Sequence, residues 1–287
     1  MKVCFYPGCA LHGTGREYGE SIYAISQNLD IQLEELEDWS CCGASSGHTF
    51  NEALAIALPG RNLALAEKIG ATKIVTPCPA CFVRLKIAEK KLKVNEFHPD
   101  LGFTYSGEIQ INHLLEYLSE PELLKKIRTK ITRPLHGLRV VCYYGCLTVR
   151  PPKMTDAKHP ENPQDMDKLM ELLGAQPLPW SFKTDCCGGS LTLTRIDIVR
   201  RLVNRLFRMA IEAGADCIVT ACPLCQVNLD TREAEAAQAF QQNYKLPVYY
   251  FTELLGLALG LPGIDSWLAR HIVNPRKLLE EKGLIRA

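Results

Sequence analysis

Asp185-Cys186-Cys187-Gly188-Gly189-Ser190 has an earlier counterpart in Ser40-Cys41-Cys42-Gly43-Ala44. Each vicinal pair follows a lone cysteine, in Tyr6-Pro7-Gly8-Cys9 and Tyr143-Tyr144-Gly145-Cys146, and precedes a Cys-x-x-Cys, in Cys78-Pro79-Ala80-Cys81 and Cys222-Pro223-Leu224-Cys225. Ten of the 13 cysteines therefore form two ordered quintets, with the Cys-x-x-Cys pairs 144 residues apart. Such an internal repeat governs how every local segment is read.

Each quintet is threaded on the same succession of elements. Residues 2–6 form an apolar strand ending toward Cys9, 16–29 an amphipathic helix, and 31–36 an alternating strand that delivers the chain to Cys41 and Cys42. A long helix over 52–69 is closed by Gly70, a buried strand over 73–76 stops at Cys78, and a helix runs from 80 to 93. A strand near 109–111 and a helix over 113–118 complete the half. The second half repeats the order with a strand at 138–143, a helix at 163–173, an extended segment at 176–180, a helix at 196–213, a strand at 217–220 and a helix at 223–242. A strand at 248–251 and a helix at 253–259 close it. Strand alternating with helix predicts an α/β fold of two pseudo-symmetric Rossmann-like halves, 1–136 and 137–287, with the cysteines at the carboxyl ends of strands near the interface. The charged segment 121–137 is expected to link them, and the proline-rich stretch 148–164, directly after Cys146, has no first-half counterpart.

The quintets point to metal chemistry. Adjacent cysteines in extended chain face opposite ways, which suits two irons of one cluster better than a single ion. Zinc and a regular cubane each take four ligands, so five thiols leave one over. Either one cysteine per half lies outside the ligand set or the cluster is irregular. The glycine after each vicinal pair lets the backbone turn sharply beside an inorganic core, and serves equally in a plain turn. Each Cys-x-x-Cys lies at a strand-to-helix junction, where the helix start favours thiolate. Alone it would pass for a redox dithiol, but an exchange site has no use for the other six cysteines. Iron–sulfur is the favoured reading, with zinc and free redox thiols as alternatives.

Other residues carry plainer expectations. Cys4, Cys142 and Cys217 read as small buried hydrophobes. His12 and His48 read as loop residues bonded to backbone. Arg150 and Lys153 read as solvated loop charges or as groups that meet an anionic substrate, and Arg195, Arg200, Arg201, Arg205 and Arg208 form a basic face suited to solvent or to an acidic partner. With 287 residues, 47% hydrophobic, the chain has room for two cores. A net charge of +1 and a pI near 7.5 leave no footprint for nucleic acid or an anionic membrane. The start shows no signal-peptide pattern, no apolar run is long enough to span a bilayer, and free thiols suit a reducing compartment. A cytoplasmic protein is expected.

The doubled C…C-C-G…C-x-x-C pattern, with Tyr-Pro-Gly-Cys at its start and Arg150-Pro151-Pro152-Lys153 after Cys146, resembles the B subunit of heterodisulfide reductase and related Cys-Cys-Gly-domain proteins over essentially the whole chain. The run Tyr6 to Tyr18 is similar to the bacterial branch. The resemblance implies a noncubane 4Fe-4S cluster on Cys9, Cys41, Cys42, Cys78 and Cys81 and a second on Cys146, Cys186, Cys187, Cys222 and Cys225. It implies a disulfide reduced, or formed in reverse, between the two clusters, with Cys9, Cys42, Cys146 and Cys187 expected to serve catalysis. Its implied partners are a ferredoxin-like C subunit, a flavin-bearing A subunit and a small disulfide or thiol. An electron-relay component without its own disulfide turnover is the alternative.

Overall fold

The computed structural model describes residues 1–44, 47–93 and 102–286. The first half runs β1 (Lys2–Phe5), α1 (Arg16–Asn28), β2 (Gln32–Glu35), α2 (Gly47–Phe50), α3 (Glu52–Lys68), β3 (Lys73–Thr76), α4 (Pro79–Lys93), β4 (Gln110–His113) and α5 (Leu114–Leu118). After α6 (Pro121–Lys130) the second half runs β5 (Arg139–Tyr143), α7 (Pro152–Thr155), α8 (Asp165–Leu172), β6 (Gln176–Pro177), α9 (Ile196–Glu212), β7 (Cys217–Thr220), α10 (Pro223–Ala239), β8 (Val248–Tyr250) and α11 (Phe251–Ala258). Two short helices, α12 (Ile264–Leu268) and α13 (Arg276–Glu281), follow.

The strands form two four-stranded parallel sheets of identical order, β2-β1-β3-β4 and β6-β5-β7-β8. Parallel strands covered on both faces read as continuous apolar runs, as Cys217-Ile218-Val219-Thr220 does with every residue buried. Local chemistry sets the helix ends. Asn51 caps α3 by accepting from the Leu54 N–H at 3.1 Å, and Gly70 closes it at φ +74°.

Alternate residues of one strand serve different cores. Val3, Phe5 and Val75 face a central core, together with Val140, Cys142, Cys217 and Val219 of the second sheet, and α1, α5, α6, α8 and α11 fill the space between. Cys4, Tyr6 and Ile74 face an outer core under α3 and α4, while Val141, Tyr143 and Ile218 face another under α9 and α10. The α/β expectation thus holds as five layers, helix, sheet, helix, sheet, helix, with the middle one shared.

Two segments show contacts that their sequence does not announce. The segment 121–137, read as the linker, is packed into the body, with Leu123, Ile127 and Leu135 at most 1% exposed in the central core. Lys126 pairs with Asp30 on the helix's solvent side, where charges accumulate on any amphipathic helix. The proline-rich loop crosses to the other half. Asp156, in left-handed conformation after α7, pairs with Lys86 at 2.6 Å and with Lys90, both on α4, and Lys90 also donates to the Lys153 carbonyl at 2.5 Å.

Candidate metal centre

In an open sheet of this strand order the chain departs in opposite directions from β1 and β3, leaving a crevice at their carboxyl ends. Cys9 follows β1 and Cys78 follows β3, so both reach that crevice; Cys146 and Cys222 do the same after β5 and β7. The flanking turn after β2 or β6 brings in the vicinal pair.

Each quintet divides into a buried trio and a solvent-side pair. Cys42, Cys78 and Cys81 are buried while Cys9 and Cys41 are exposed; Cys187, Cys222 and Cys225 are buried, with Cys146 half-buried and Cys186 exposed. The opposite facing of vicinal cysteines is seen directly. Cys42 Sγ lies 3.2 Å from Cys81 Sγ, and Cys187 Sγ 3.6 Å from Cys225 Sγ. The Gly43 N–H donates to Cys41 Sγ at 3.4 Å, Gly188 N–H to Cys186 Sγ at 3.3 Å, and Cys225 N–H to Cys222 Sγ at 3.4 Å. No disulfide links any of the 13.

Two glycines are needed for this closeness. Gly8 and Gly145 have φ of +68° and +70°, and a Cβ on either would sit 3.0 Å from Cys81 Sγ or Cys225 Sγ. Two tyrosines the sequence reading passed over hold the turns. Tyr6 donates to the Ser40 carbonyl at 2.9 Å and Tyr143 to the Asp185 carbonyl at 2.7 Å, each carbonyl immediately preceding a vicinal pair. The signal was present, since both belong to the repeated Tyr-x-Gly-Cys.

Crowded sulfurs perturb one another. The hydrogen bond shared with Cys81, helped by the Ala44 N–H and Arg84 and opposed by burial, brings Cys42 down to about 7. Its bond with Cys146 brings Cys186 down to about 6. Other sulfurs of these pairs move in the opposite sense: Cys81, Cys225 and Cys146 are pushed up. Several thiolates in one buried space repel, so a group supplying concentrated positive charge to soft donors would relieve them. Among the described residues no three His, Cys, Asp or Glu side chains form a group spaced to hold one metal ion; the sulfurs adjoin pairwise instead.

The remaining candidates lie apart from the sulfurs or are already paired. Cys4, Cys142 and Cys217 are buried in the cores at 4%, 0% and 0% exposure, where burial raises their thiol pKa. His48 Nδ1 lies 3.3 Å from the Gly43 carbonyl, whereas His12 stacks on Trp39 and approaches Glu35 at 3.6 Å. Arg150 pairs with Glu161 at 2.6 Å. The arginines of and just before α9 are largely neutralised: Arg195 by Asp197, Arg200 by Glu235, Arg208 by Glu212 and Arg205 by Asp185.

The cysteine-rich CCG domain family matches residues 3–86 and 140–230, the two regions that carry the quintets. The chain is also 30% identical to the B subunit of a CoB-CoM heterodisulfide reductase of Methanosarcina acetivorans, over 97% of both chains. It belongs to the family of heterodisulfide reductase B subunits. Within this family of CCG proteins it is similar to relatives of different description. It is 31% identical, over 96% of its length and 99% of the relative's, to an 8-methylmenaquinol:fumarate reductase membrane anchor subunit of Wolinella succinogenes. It is 28% identical, over 98% and 99%, to a protein of Archaeoglobus profundus described as like the heterodisulfide reductase B subunit. A crystal structure of a hypothetical protein from Helicobacter pylori shares the fold, with a TM-score of 0.72 and 12% identity over 95% of this chain and 52% of that one. Among the described residues no helix is long and apolar enough to cross a membrane.

Proposed function

We propose that this chain is the iron–sulfur subunit of a heterodisulfide reductase-like redox complex, and that it reduces a disulfide, or forms one in reverse. The observation that carries this reading is the pair of matching sulfur quintets at the carboxyl ends of two like sheets, each with a buried trio and a solvent-side pair. Cys9, Cys41, Cys42, Cys78 and Cys81 would hold one 4Fe-4S group of noncubane type, and Cys146, Cys186, Cys187, Cys222 and Cys225 the other. Such groups, when bound, supply single electrons and open iron sites for a soft thiolate. Reducing one disulfide to two thiols consumes two electrons and two protons, so one electron from each half balances the reaction, and a ferredoxin-like and a flavin-bearing partner would deliver them. The chain's own contribution is to hold the sulfurs: Tyr6 and Tyr143 fix the vicinal turns, Gly8 and Gly145 admit the close approach, and the buried trios shield one side from water.

An electron-relay component without disulfide turnover is the second reading, favoured by the similarity to a subunit of a quinol:fumarate reductase. Iron and acid-labile sulfide are measured on anaerobic protein first, with about eight irons per chain expected for two such groups; a colourless protein binding only zinc ends both readings. Disulfide reduction with an artificial electron donor then separates them. Turnover abolished in Cys42→Ser or Cys187→Ser supports catalysis, and turnover undiminished in both rejects it.

A further inference from the structure

The turns that carry the two Cys-x-x-Cys pairs meet at the seam between the halves. Tyr18 of α1, fully buried, places its hydroxyl 3.4 Å from the Pro77 carbonyl and 3.3 Å from the Ala221 carbonyl, which immediately precede Cys78 and Cys222. His113 Nε2 lies 3.1 Å from the same Pro77 carbonyl. Tyr250 stacks on Tyr18, with centroids 4.2 Å apart and planes 3° from parallel. Register makes Tyr250 the counterpart of His113: His113 stands opposite Thr76 and Tyr250 opposite Thr220. Each also gives its backbone N–H to the glutamate three residues on, Glu116 or Glu253.

The counterparts differ in one respect. Both His113 ring nitrogens are engaged, by the Pro77 carbonyl and the Leu115 N–H. The Tyr250 hydroxyl, in a fully buried residue, has no hydrogen-bond partner among the described residues. A Cβ added at Gly15 would lie 3.3 Å from that hydroxyl, 3.3 Å from Pro223 Cβ and 3.5 Å from the Ala10 carbonyl. The hydroxyl therefore sits where the Cys9-Ala10 turn, the start of α1 and the Cys222-Pro223 turn come together. The Ala10 carbonyl already accepts from Gly13 and Gly15. Native structures rarely leave a buried donor unmatched. Burial, with the charges of Glu17, Glu253, Tyr18 and Cys222, holds the phenol well above its ordinary pKa, so it stays protonated and able to donate.

We propose that Tyr250 tunes the second site, its hydroxyl donating a hydrogen bond to a sulfur of the iron–sulfur group held by Cys146, Cys186, Cys187, Cys222 and Cys225. This rests on the function proposed above. A donor stabilises the more negative, reduced state of such a group and raises its reduction potential. In the first half, His113 gives its donor to backbone, so the two sites differ in potential despite matching ligands.

Tyr250→Phe keeps the ring and its stack on Tyr18 while removing the donor. In the anaerobic, cluster-loaded protein, iron and sulfide content should equal wild type, and redox titration followed by electron paramagnetic resonance should show one midpoint moved to a more negative value. The moved midpoint should be the one missing from Cys222→Ser. Iron–sulfur vibrational bands that shift in deuterated water in wild type should lose part of that shift in the variant. Tyr18→Phe, whose hydroxyl serves backbone carbonyls, should lower thermal stability and leave both midpoints in place. Loaded Tyr250→Phe with unchanged midpoints, a shift confined to the other group, or an equal shift in Tyr18→Phe overturns the proposal. Wild type that binds no iron instead overturns the function on which it rests.

Discussion

Replacing His113 by Gln should change how stability depends on pH, by an amount set by the ring's surroundings. Burial, only partly offset by the Pro77 and Ala221 carbonyls, lowers the His113 pKa from 6.5 to about 4. Between those values the unfolded chain binds a proton that the folded chain refuses, so stability is full above pH 6.5 and falls as pH drops toward 4. At about 1.4 kcal/mol for each pH step between the two values, the whole window is worth about 3 kcal/mol, of which about 2 kcal/mol is lost by pH 5. The assay is anaerobic urea unfolding of wild type and His113→Gln at several pH values from 8 to 5. Subtracting one profile from the other removes the contribution of groups common to both. The wild-type advantage should shrink by about 2 kcal/mol between pH 8 and pH 5. An advantage that stays level, or grows on acidification, would refute the assignment of a buried neutral imidazole.

Other substitutions probe the shared core, the close sulfur approach and the loop. Leu254→Ala, in the central core at 0% exposure, should cost about 2–5 kcal/mol and lower a single unfolding transition reported alike by probes in both halves; separate transitions would show the halves to be independent. Gly145→Ala puts a side chain at φ +70° and 3.0 Å from Cys225 Sγ. It should cost about 1–3 kcal/mol in strain and halve the bound iron, with full iron retention counting against the fit. Asp156→Ala removes half-exposed ion pairs to Lys86 and Lys90, so global stability should fall by less than about 1 kcal/mol. Hydrogen exchange across residues 150–160 should nevertheless quicken, and unchanged exchange would mean the loop is held by other contacts.

The candidate sulfur donors were legible because metal chemistry counts side chains by type. Two sets of Cys, Cys-Cys-Gly and Cys-x-x-Cys in the same order announced a duplicated site, and apolar runs such as Cys217 to Thr220 announced buried parallel strands. The tyrosines at Tyr6 and Tyr143 were equally visible but silent, since a hydroxyl's partner is a carbonyl some 34 or 42 residues away and periodicity carries no such information. The same limit applies to the segment 121–137, whose charges mark a helix but not that Leu123 and Ile127 pack into the central core.

Residue types and their spacing were enough to set the α/β class, the duplication and the ten sulfurs, because these follow from local propensity and from donor chemistry. The packing of two halves into one five-layered body settled what lies between the sites. Tyr18, His113 and Tyr250 come from α1, from the end of β4 and from the end of β8, and only the central core brings them beside the Cys78 and Cys222 turns. Contacts between residues more than 200 positions apart, such as Tyr18 with Ala221, depend on how apolar faces are buried against each other, a property of the whole chain that no single stretch contains.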